Sequence, residues 1–366
     1  MGAYSPEERE FYDAAREFAT GAIRPHVGDW DRDGRLPDAL MRDLGDLGFW
    51  GLRVPEDMGG LGLSLGQYVA ALEGLAWGDP SVSMAVAIHN GPALETLLRS
   101  GTKGQLDEWL PQVAAGKPRV GFALAEEGAG VDLVALETLA APSGSGWSLT
   151  GRKDWVTGAG RAGALVVVAR VPEESGCAMF LVPTDGDGCV VEDPLPTMGF
   201  LASEVAAVRF EGLRVSDTRR LGGAGQVGDA LTAAAAIARL GVAAQAVGIG
   251  QAALEHARGY ALERSQFGRA LGDFGAIRDK IGRMVARVAA ARALVVSVAR
   301  EEWGLDGGIG GLSFATGTAV AKVVASEAAV FIADEAVQIF PRPELTGGMK
   351  ACETPINRAN IQERRG

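Results

Sequence analysis

Gly151-Arg152-Lys153-Asp154-Trp155-Val156-Thr157-Gly158, downstream of Ala125-Glu126-Glu127-Gly128-Ala129-Gly130-Val131-Asp132, is the stretch whose reading decides the fold. An aromatic plane followed two residues later by a hydroxyl sets a flat apolar face beside a polar donor, which suits a ligand with a planar ring system. The Gly128-Ala129-Gly130 run lets backbone approach a bound group closely and offers unhindered N–H donors. Alone, that run reads as an ordinary turn at a strand end. The two segments together, in this order, are far more specific than either.

The composition excludes several classes around that core observation. At 366 residues the chain is longer than one hydrophobic core usually serves, so two or three subdomains are expected. Hydrophobic residues at 47% and charged residues at 22% describe a globular protein with a sizeable interior. A formal charge of −11 argues against nucleic acid and anionic membranes as partners, because both call for a basic face. Cys177, Cys189 and Cys352 form no CxxC pair, and His26, His89 and His256 lie without ligand spacing, so no metal is expected. Reduced thiols fit a cytoplasmic location. The first residues, MGAYSPEEREFYDAAREF, carry acidic groups and no apolar run, which predicts a helix start rather than a signal peptide. No stretch reads as a clean membrane span, since even the Ala-rich 230–254 region carries Arg239 and Gln245.

Periodicity divides the chain in three. Ser5-Pro6-Glu7-Glu8 opens a helix with Phe11, Ala15, Phe18 and Ile23 at helical spacing, predicted over 5–25. Further amphipathic helices are predicted at 37–48, 66–77, 81–100 and 103–114. From about 118 the period shifts toward two, with strands predicted at Gly121–Leu124, Leu165–Ala169, Cys177–Val182 and Val205–Phe210. Long Ala/Val/Leu/Arg helices return at 226–264, 273–303 and 313–340, with a loop at Gly304–Gly311. The expected fold is mostly α with a central β-domain: an N-terminal helical domain over 1–117, a β-barrel or small sandwich over 118–224, and a C-terminal four-helix bundle over 225–366.

This order and these motifs resemble the acyl-CoA dehydrogenase family over roughly residues 5–340. Phe49-Trp50-Gly51-Leu52-Arg53-Val54-Pro55-Glu56-Asp57-Met58-Gly59-Gly60-Leu61-Gly62-Leu63 is similar to the family's turn before a long N-terminal helix. The resemblance implies FAD as cofactor. Phe122, Leu124, Ala125, Gly130 and Val131 would line it, the Trp155 indole would cover one face of the isoalloxazine, and Thr157 would meet its N5 and O4 edge. Glu263-Arg264-Ser265-Gln266-Phe267-Gly268 is similar to the family segment whose Arg and Phe reach the flavin of a neighbouring subunit, and Gln338 to a residue near its ADP part. An anionic pyrophosphate recruits a bidentate Arg, and a shared cofactor implies a homo-oligomer, dimer or tetramer. Standing alone, Arg264 reads as a solvated charge at a helix end.

Departures from the family pattern bear on substrate and base. Members that bind coenzyme A carry an aromatic-Asp pair shortly before a helical Arg; here Arg239 is present but the pair is Ala235-Ala236, and Val131 replaces a Ser that helps hold the thioester arm. Each lost hydrogen bond weakens a pantetheine by on the order of 1 kcal/mol. The expectation is an acyl group delivered on an acyl-carrier protein, with Arg239 and Val131 toward the substrate. The family's catalytic Glu normally sits in a Tyr-Glu-Gly-Thr motif near the C-terminus. Here the connection is short, and Glu353 takes that role if two residues are deleted, with Glu344 second and a helix-start charge as the bland reading of Glu353. The combination resembles the carrier-protein dehydrogenases that make methoxymalonyl extender units for polyketides, which implies a three-carbon, glyceryl-derived substrate oxidised on its way to hydroxymalonyl. Arg219, Arg220, Arg358, Arg364 and Arg365 are candidates for docking an acidic carrier. Three other readings stay open: an ordinary short-chain acyl-CoA dehydrogenase, a flavin monooxygenase on the same fold, and a flavin-free structural partner, which Pro341-Arg342 and Gly275 at adenine-side positions would permit. The electron acceptor is not legible.

Overall fold

The computed structural model describes residues 3–130, 132–174, 176–223, 226–300 and 313–340. α1 (Pro6–Phe18) begins as its sequence predicts: Ser5 Oγ accepts from Glu8 N at 3.2 Å, and Glu8 returns a carboxylate to Ser5 N at 2.8 Å. The helix expected to run to residue 25 instead loosens after Phe18 into a π-turn (Ala19–Ile23) ahead of Pro25. A short helix the sequence reading missed, α2 (Val27–Asp33), follows, and then α3 (Asp38–Asp46). α4 (Leu65–Gly78) is opened by a second capping box, Ser64 with Gln67. The helix expected over 81–100 is two helices. α5 (Pro80–Ile88) and α6 (Leu94–Ser100) are separated by a π-turn in which Gly91 leaves helical geometry just before Pro92, whose ring cannot continue the ladder. α7 (Lys103–Ala114) completes the N-terminal helices.

The middle segment is an eight-stranded sheet. Its strands are β1 (Val120–Ala123), β2 (Leu139–Ser143), β3 (Gly146–Thr157), β4 (Ala164–Val171), β5 (Gly176–Pro183), β6 (Cys189–Val191), β7 (Val205–Ser216) and β8 (Arg220–Leu221). The hydrogen-bonded path runs β6-β7-β3-β2-β4-β5-β8, with β1 parallel to β4. β4 is apolar except for the half-buried Arg170 because both its faces are covered. Leu165, Val167 and Ala169 enter the core of the β-domain with Phe180, Val208 and Phe210. Val166 and Val168 enter a second core with Leu97, Trp109 and Leu231 from the helices. That second core seats the β-domain on the helical domains.

α8 (Val227–Glu263) is a 37-residue helix that packs against α4, α9 (Gly275–Ala299) and α10 (Phe314–Ile339). Between α8 and α9 lies a small hairpin of β9 (Ser265–Gln266) and β10 (Arg269–Ala270). By length and composition alone α8 and α10 are apolar enough to cross a membrane, contrary to the sequence expectation; what their small, apolar residues serve here is close helix packing. Polar clamps hold the N-terminal helices to this bundle. Arg292 forks onto the buried Glu73 at 2.8–3.1 Å, Tyr4 Oη donates to the same carboxylate at 2.6 Å, and Arg16 forks onto Glu255 at 3.0 and 3.1 Å. Among the described residues the bundle has these three helices; the fourth that the sequence leads one to expect, and the loop expected at 304–311, would lie outside them.

Candidate active site

The two sequence motifs are sewn into one frame, and the thread is β3. Its alternation is interrupted twice, by register shifts at Leu149/Thr150 and between Lys153 and Val156. Gly151 sits at the first, at φ 148, where a Cβ would lie 2.5 Å from Thr138 Cα. The shifts turn Lys153 and Val156 inward and Trp155 outward. Lys153 is fully buried; its Nζ donates to Glu126 Oε1 at 2.6 Å and to Leu124 O at 2.9 Å. One residue on, Asp154 N donates to Ala125 O at 3.0 Å and Asp154 Oδ2 accepts from Glu127 N at 2.7 Å. The 124–127 segment therefore hangs on three consecutive groups of β3.

Glu126 is the hub of this frame. Besides Lys153 it accepts from Glu137 N at 2.5 Å and Thr138 N at 3.1 Å. Burial by itself would raise its carboxyl; the Lys153 ammonium and the two N–H donors outweigh that and hold it below the ordinary carboxylate range. Glu126 and Ala129 then close a tight turn by exchanging backbone hydrogen bonds at 2.7 and 3.1 Å. At Gly128 and Gly130 an added Cβ would meet nothing within 4 Å, so the protein's own packing does not require glycine at either position. The open space there suits close approach by a ligand.

Phe122 on β1 and Leu124 just after it are half-buried against the second core, and Ala125 is half-buried where the frame begins. Trp155 exposes 53% of its surface, a large apolar plane left uncovered beside the half-buried Thr157. Of the residues the sequence reading drew together, Phe122, Leu124 and Ala125 lead into the 124–127 segment, Gly130 follows it, and Trp155 and Thr157 end the strand from which that segment hangs. An exposed indole, a neighbouring hydroxyl and an open glycine turn fit a flat, polar-edged ring system. Lys153, Glu126 and Asp154 were quoted as motif letters but given no role; a lysine at an inward position of a strand was the available signal.

The remaining candidates lie on the C-terminal helices. Arg264 and Phe267 are exposed on the β9–β10 hairpin, Phe267 at 93% exposure and in the left-handed region at φ 53, and Gln338 is exposed near the end of α10. Among the described residues, none of their hydrogen bonds or ring contacts reaches the β-domain; Phe267 meets Phe274, ring to ring at 6.4 Å. Arg239 is exposed on α8, with Ala235 half-buried one turn before it and Ala236 buried. Val131, Glu344 and Glu353 lie outside the described residues. So do Arg358, Arg364 and Arg365. Arg220 is committed to Glu174 at 2.5 and 2.7 Å, which removes it as a free docking charge, whereas Arg219 stacks on Trp109 at 4.3 Å.

A cleft of about 530 Å³ opens between Leu133, Val134 and Cys177 of the β-domain and Val227 and Gly228 at the start of α8. Of its charged wall residues, Glu174 is paired with Arg220, while Arg170 gives its Nε to Leu136 O at 3.1 Å.

Comparison with known proteins gives three family matches in chain order: acyl-CoA dehydrogenase N-terminal domain over residues 5–117, middle domain over 121–213 and C-terminal domain over 228–350. The chain is 34% identical over 328 residues to the mitochondrial short-chain specific acyl-CoA dehydrogenase of Bos taurus, covering 89% of this chain and 78% of that protein. Its structure is similar to butyryl-CoA dehydrogenase from Megasphaera elsdenii, with a TM-score of 0.90 at 28% identity, over 98% of this chain and 94% of the other. It is also similar to a glutaryl-CoA dehydrogenase from Mycobacterium smegmatis in complex with FADH2, with a TM-score of 0.86 at 25% identity, over 99% and 90%.

Proposed function

Because the chain belongs to the acyl-CoA dehydrogenase family, FAD-dependent oxidoreductases of acyl thioesters, we propose that its substrate is a short hydroxyacyl group on the phosphopantetheine of an acyl-carrier protein, oxidised in methoxymalonyl extender-unit biosynthesis. The observation that carries this is on α8, where Ala235 and the buried Ala236 stand one turn before the exposed Arg239 and offer no side-chain donor to a pantetheine arm. An arm with few partners gains its affinity from contact between two proteins, which a carrier supplies and coenzyme A does not.

When bound, FAD accepts the hydride that leaves the substrate carbon. The chain's own part is to hold and orient. The Lys153–Glu126 frame fixes the loop and strand end that would line the cofactor, with the Trp155 indole against one face of the ring and Thr157 at its polar edge. Glu353, outside the described residues, is proposed as the base that takes the acidic α-proton; a carboxylate in a closed apolar site would have its pKa raised into a useful range. If no carboxylate serves, hydride loss from a carbon bearing a hydroxyl remains and asks less of the enzyme. The exposed Arg264, Phe267 and Gln338 are proposed to serve the FAD of a second copy, making the enzyme at least a homodimer; sedimentation of a stable, fully flavinated monomer would contradict that. A cytoplasmic location is part of the same reading.

The test is anaerobic bleaching of the flavin in the purified holoenzyme. A short hydroxyacyl carrier-protein thioester is expected to reduce it quickly, and the same group on coenzyme A slowly. Added salt should slow the carrier reaction by weakening electrostatic association. Equal rates with both thioesters favour the second reading, an ordinary short-chain acyl-CoA dehydrogenase, which the 34% identity to the bovine enzyme supports.

A further inference from the structure

We propose that a cavity behind Thr157 is a binding site for a small carboxylate. It encloses about 50 Å³ between the N-terminal helices and the β-domain, with His89, Arg119, Thr157, Arg161, Ser203 and Glu204 in its wall. Arg119 Nε, Arg161 Nη2 and Ser203 Oγ are all buried and, among the described residues, all without a hydrogen-bond partner. Buried polar atoms are almost always satisfied, so three orphans on one cavity call for an occupant. All three can donate. Their complement is an acceptor.

Charge narrows the occupant further. Arg161 is paired with Glu204 and, at the rim, with Asp38, which is 69% exposed. Arg119 meets no carboxylate among the described residues; it donates to the Arg161 carbonyl at 3.0 Å and lies over the Trp50 ring at 5.8 Å. Burial, and then the neighbouring Arg161 charge, pull the Arg119 guanidinium below its usual pKa. His89 adds no charge: its Nε2 donates to Val113 O at 3.0 Å, its Nδ1 accepts from Val120 N at 2.9 Å, and burial lowers its pKa to about 4. Arg119 is thus a forked cation in the wall with no carboxylate in contact, balanced only at longer range by Glu204 and the exposed Asp38, and its free Nε suits one oxygen of a planar, monovalent oxyanion. The volume holds roughly three or four waters, or one carboxylate group, and excludes anything bulky.

The site is tied to the flavin frame. Gly158 N, directly after Thr157, donates to Ser203 O at 3.1 Å and Glu204 O at 3.2 Å. The 201–203 turn is bracketed by two residues in the left-handed region, Phe200 at φ 54 and Glu204 at φ 50, conformations that persist only where surroundings enforce them. Filling the cavity should therefore be sensed at Thr157.

The FAD-loaded enzyme is titrated with formate and acetate at constant ionic strength, reading flavin absorbance and unfolding temperature. Expected is a saturable response to formate, at least tenfold weaker in Arg119→Gln and several-fold weaker in Ser203→Ala. The serine variant removes one oxygen that bonds nothing in the protein, so it keeps the test alive if Arg119→Gln fails to fold. An absent or non-saturating response, or one unchanged in Ser203→Ala, overturns the proposal and leaves a water-filled void. Competition separates two sources of the same chemistry. Displacement of formate by a malonyl thioester but not a propionyl thioester assigns the site to the distal carboxylate of an acyl group. Saturable formate binding without such competition assigns it to a free small anion.

Discussion

Lys153→Met isolates the frame that joins the two halves of the flavin surface. Lys153 is fully buried and Glu126 only 6% exposed, so their pair is little screened by solvent. Methionine fills most of the volume of the lysine stem, so the cost is chiefly that of leaving Glu126 buried without its ammonium and Leu124 O without its donor. Removing one partner of a buried pair costs about 3–5 kcal/mol. Glu126 keeps its two N–H donors from Thr138 and Glu137, which puts the expected loss at the lower end of that range. The pH dependence gives an independent check. In the wild type the Glu126 carboxyl is held below its unfolded value, so its contribution is present at neutral pH and is lost as pH falls through the folded value. Without Lys153 the burial cost dominates, and that acid-sensitive contribution disappears. Urea unfolding at pH 7 and pH 4, with the rate of flavin release into excess buffer, measures all three. Replacing both partners, Lys153→Met with Glu126→Leu, should recover most of the stability, because no charge is left stranded. A single variant that loses less than about 1 kcal/mol and keeps flavin like the wild type would refute the reasoning.

Trp155→Ala is expected to weaken FAD retention roughly two- to tenfold, the worth of one aromatic stacking contact; unaltered affinity by ultrafiltration would show that the indole does not cover the ring. Glu353→Gln should keep FAD but lose roughly 10²–10⁴-fold in substrate-dependent flavin reduction, and a wild-type rate in stopped flow would move the test to Glu344. His89, buried and neutral with its pKa lowered from 6.5 to about 4, gives stability that falls as pH drops through that interval, since only the unfolded chain takes up the proton; the full effect is about 3 kcal/mol. Asp79, raised by burial to about 6 while capping Val82 N, acts in the opposite sense, its contribution lost as pH rises toward 6. Unfolding midpoints between pH 4 and 7 should therefore have a shallower acid slope in His89→Gln and a steeper one in Asp79→Asn; identical slopes in all three proteins would contradict the assignments.

The order of helices, sheet and helices was legible because the hydrophobic period changes where the architecture does. Four of the predicted strands fall on β1, β4, β5 and β7, all strands with apolar runs. β3, the strand that carries the site, was not read as one, because its two register shifts break the alternation that identifies a strand. The same shifts present Trp155 outward, so the departure from regularity was itself the functional signal. The break between α5 and α6 was written in Gly91-Pro92 and passed over within a strongly apolar run. Which lysine pairs with which glutamate was not available at all, since Lys153 and Glu126 meet only through the register of β3 against a loop 27 residues earlier.

Trp155 and Phe267 pose one problem in two places. Each is a large aromatic exposed on a single chain, at 53% and 93%, where it gives up the burial that normally stabilises such a side chain. Each is also held by backbone that is not free to relax: Trp155 follows the buried Lys153–Glu126 anchor, and Phe267 occupies the left-handed region in a two-residue hairpin turn before Gly268. A side chain that is merely on the surface needs no such support. Held and uncovered, the two rings are presented to something outside the chain, and the chemistry beside them differs accordingly. Next to Trp155 stand a hydroxyl and an open glycine turn, suited to the edge of a flat ring. Next to Phe267 stands the exposed Arg264, a forked cation suited to phosphate oxygens. A cofactor with a planar head and an anionic tail would answer both. Because no hydrogen bond or ring contact of Arg264 or Phe267 reaches the β-domain among the described residues, the proposed second copy of the chain, lending its hairpin to the first, is an arrangement that would fill both surfaces.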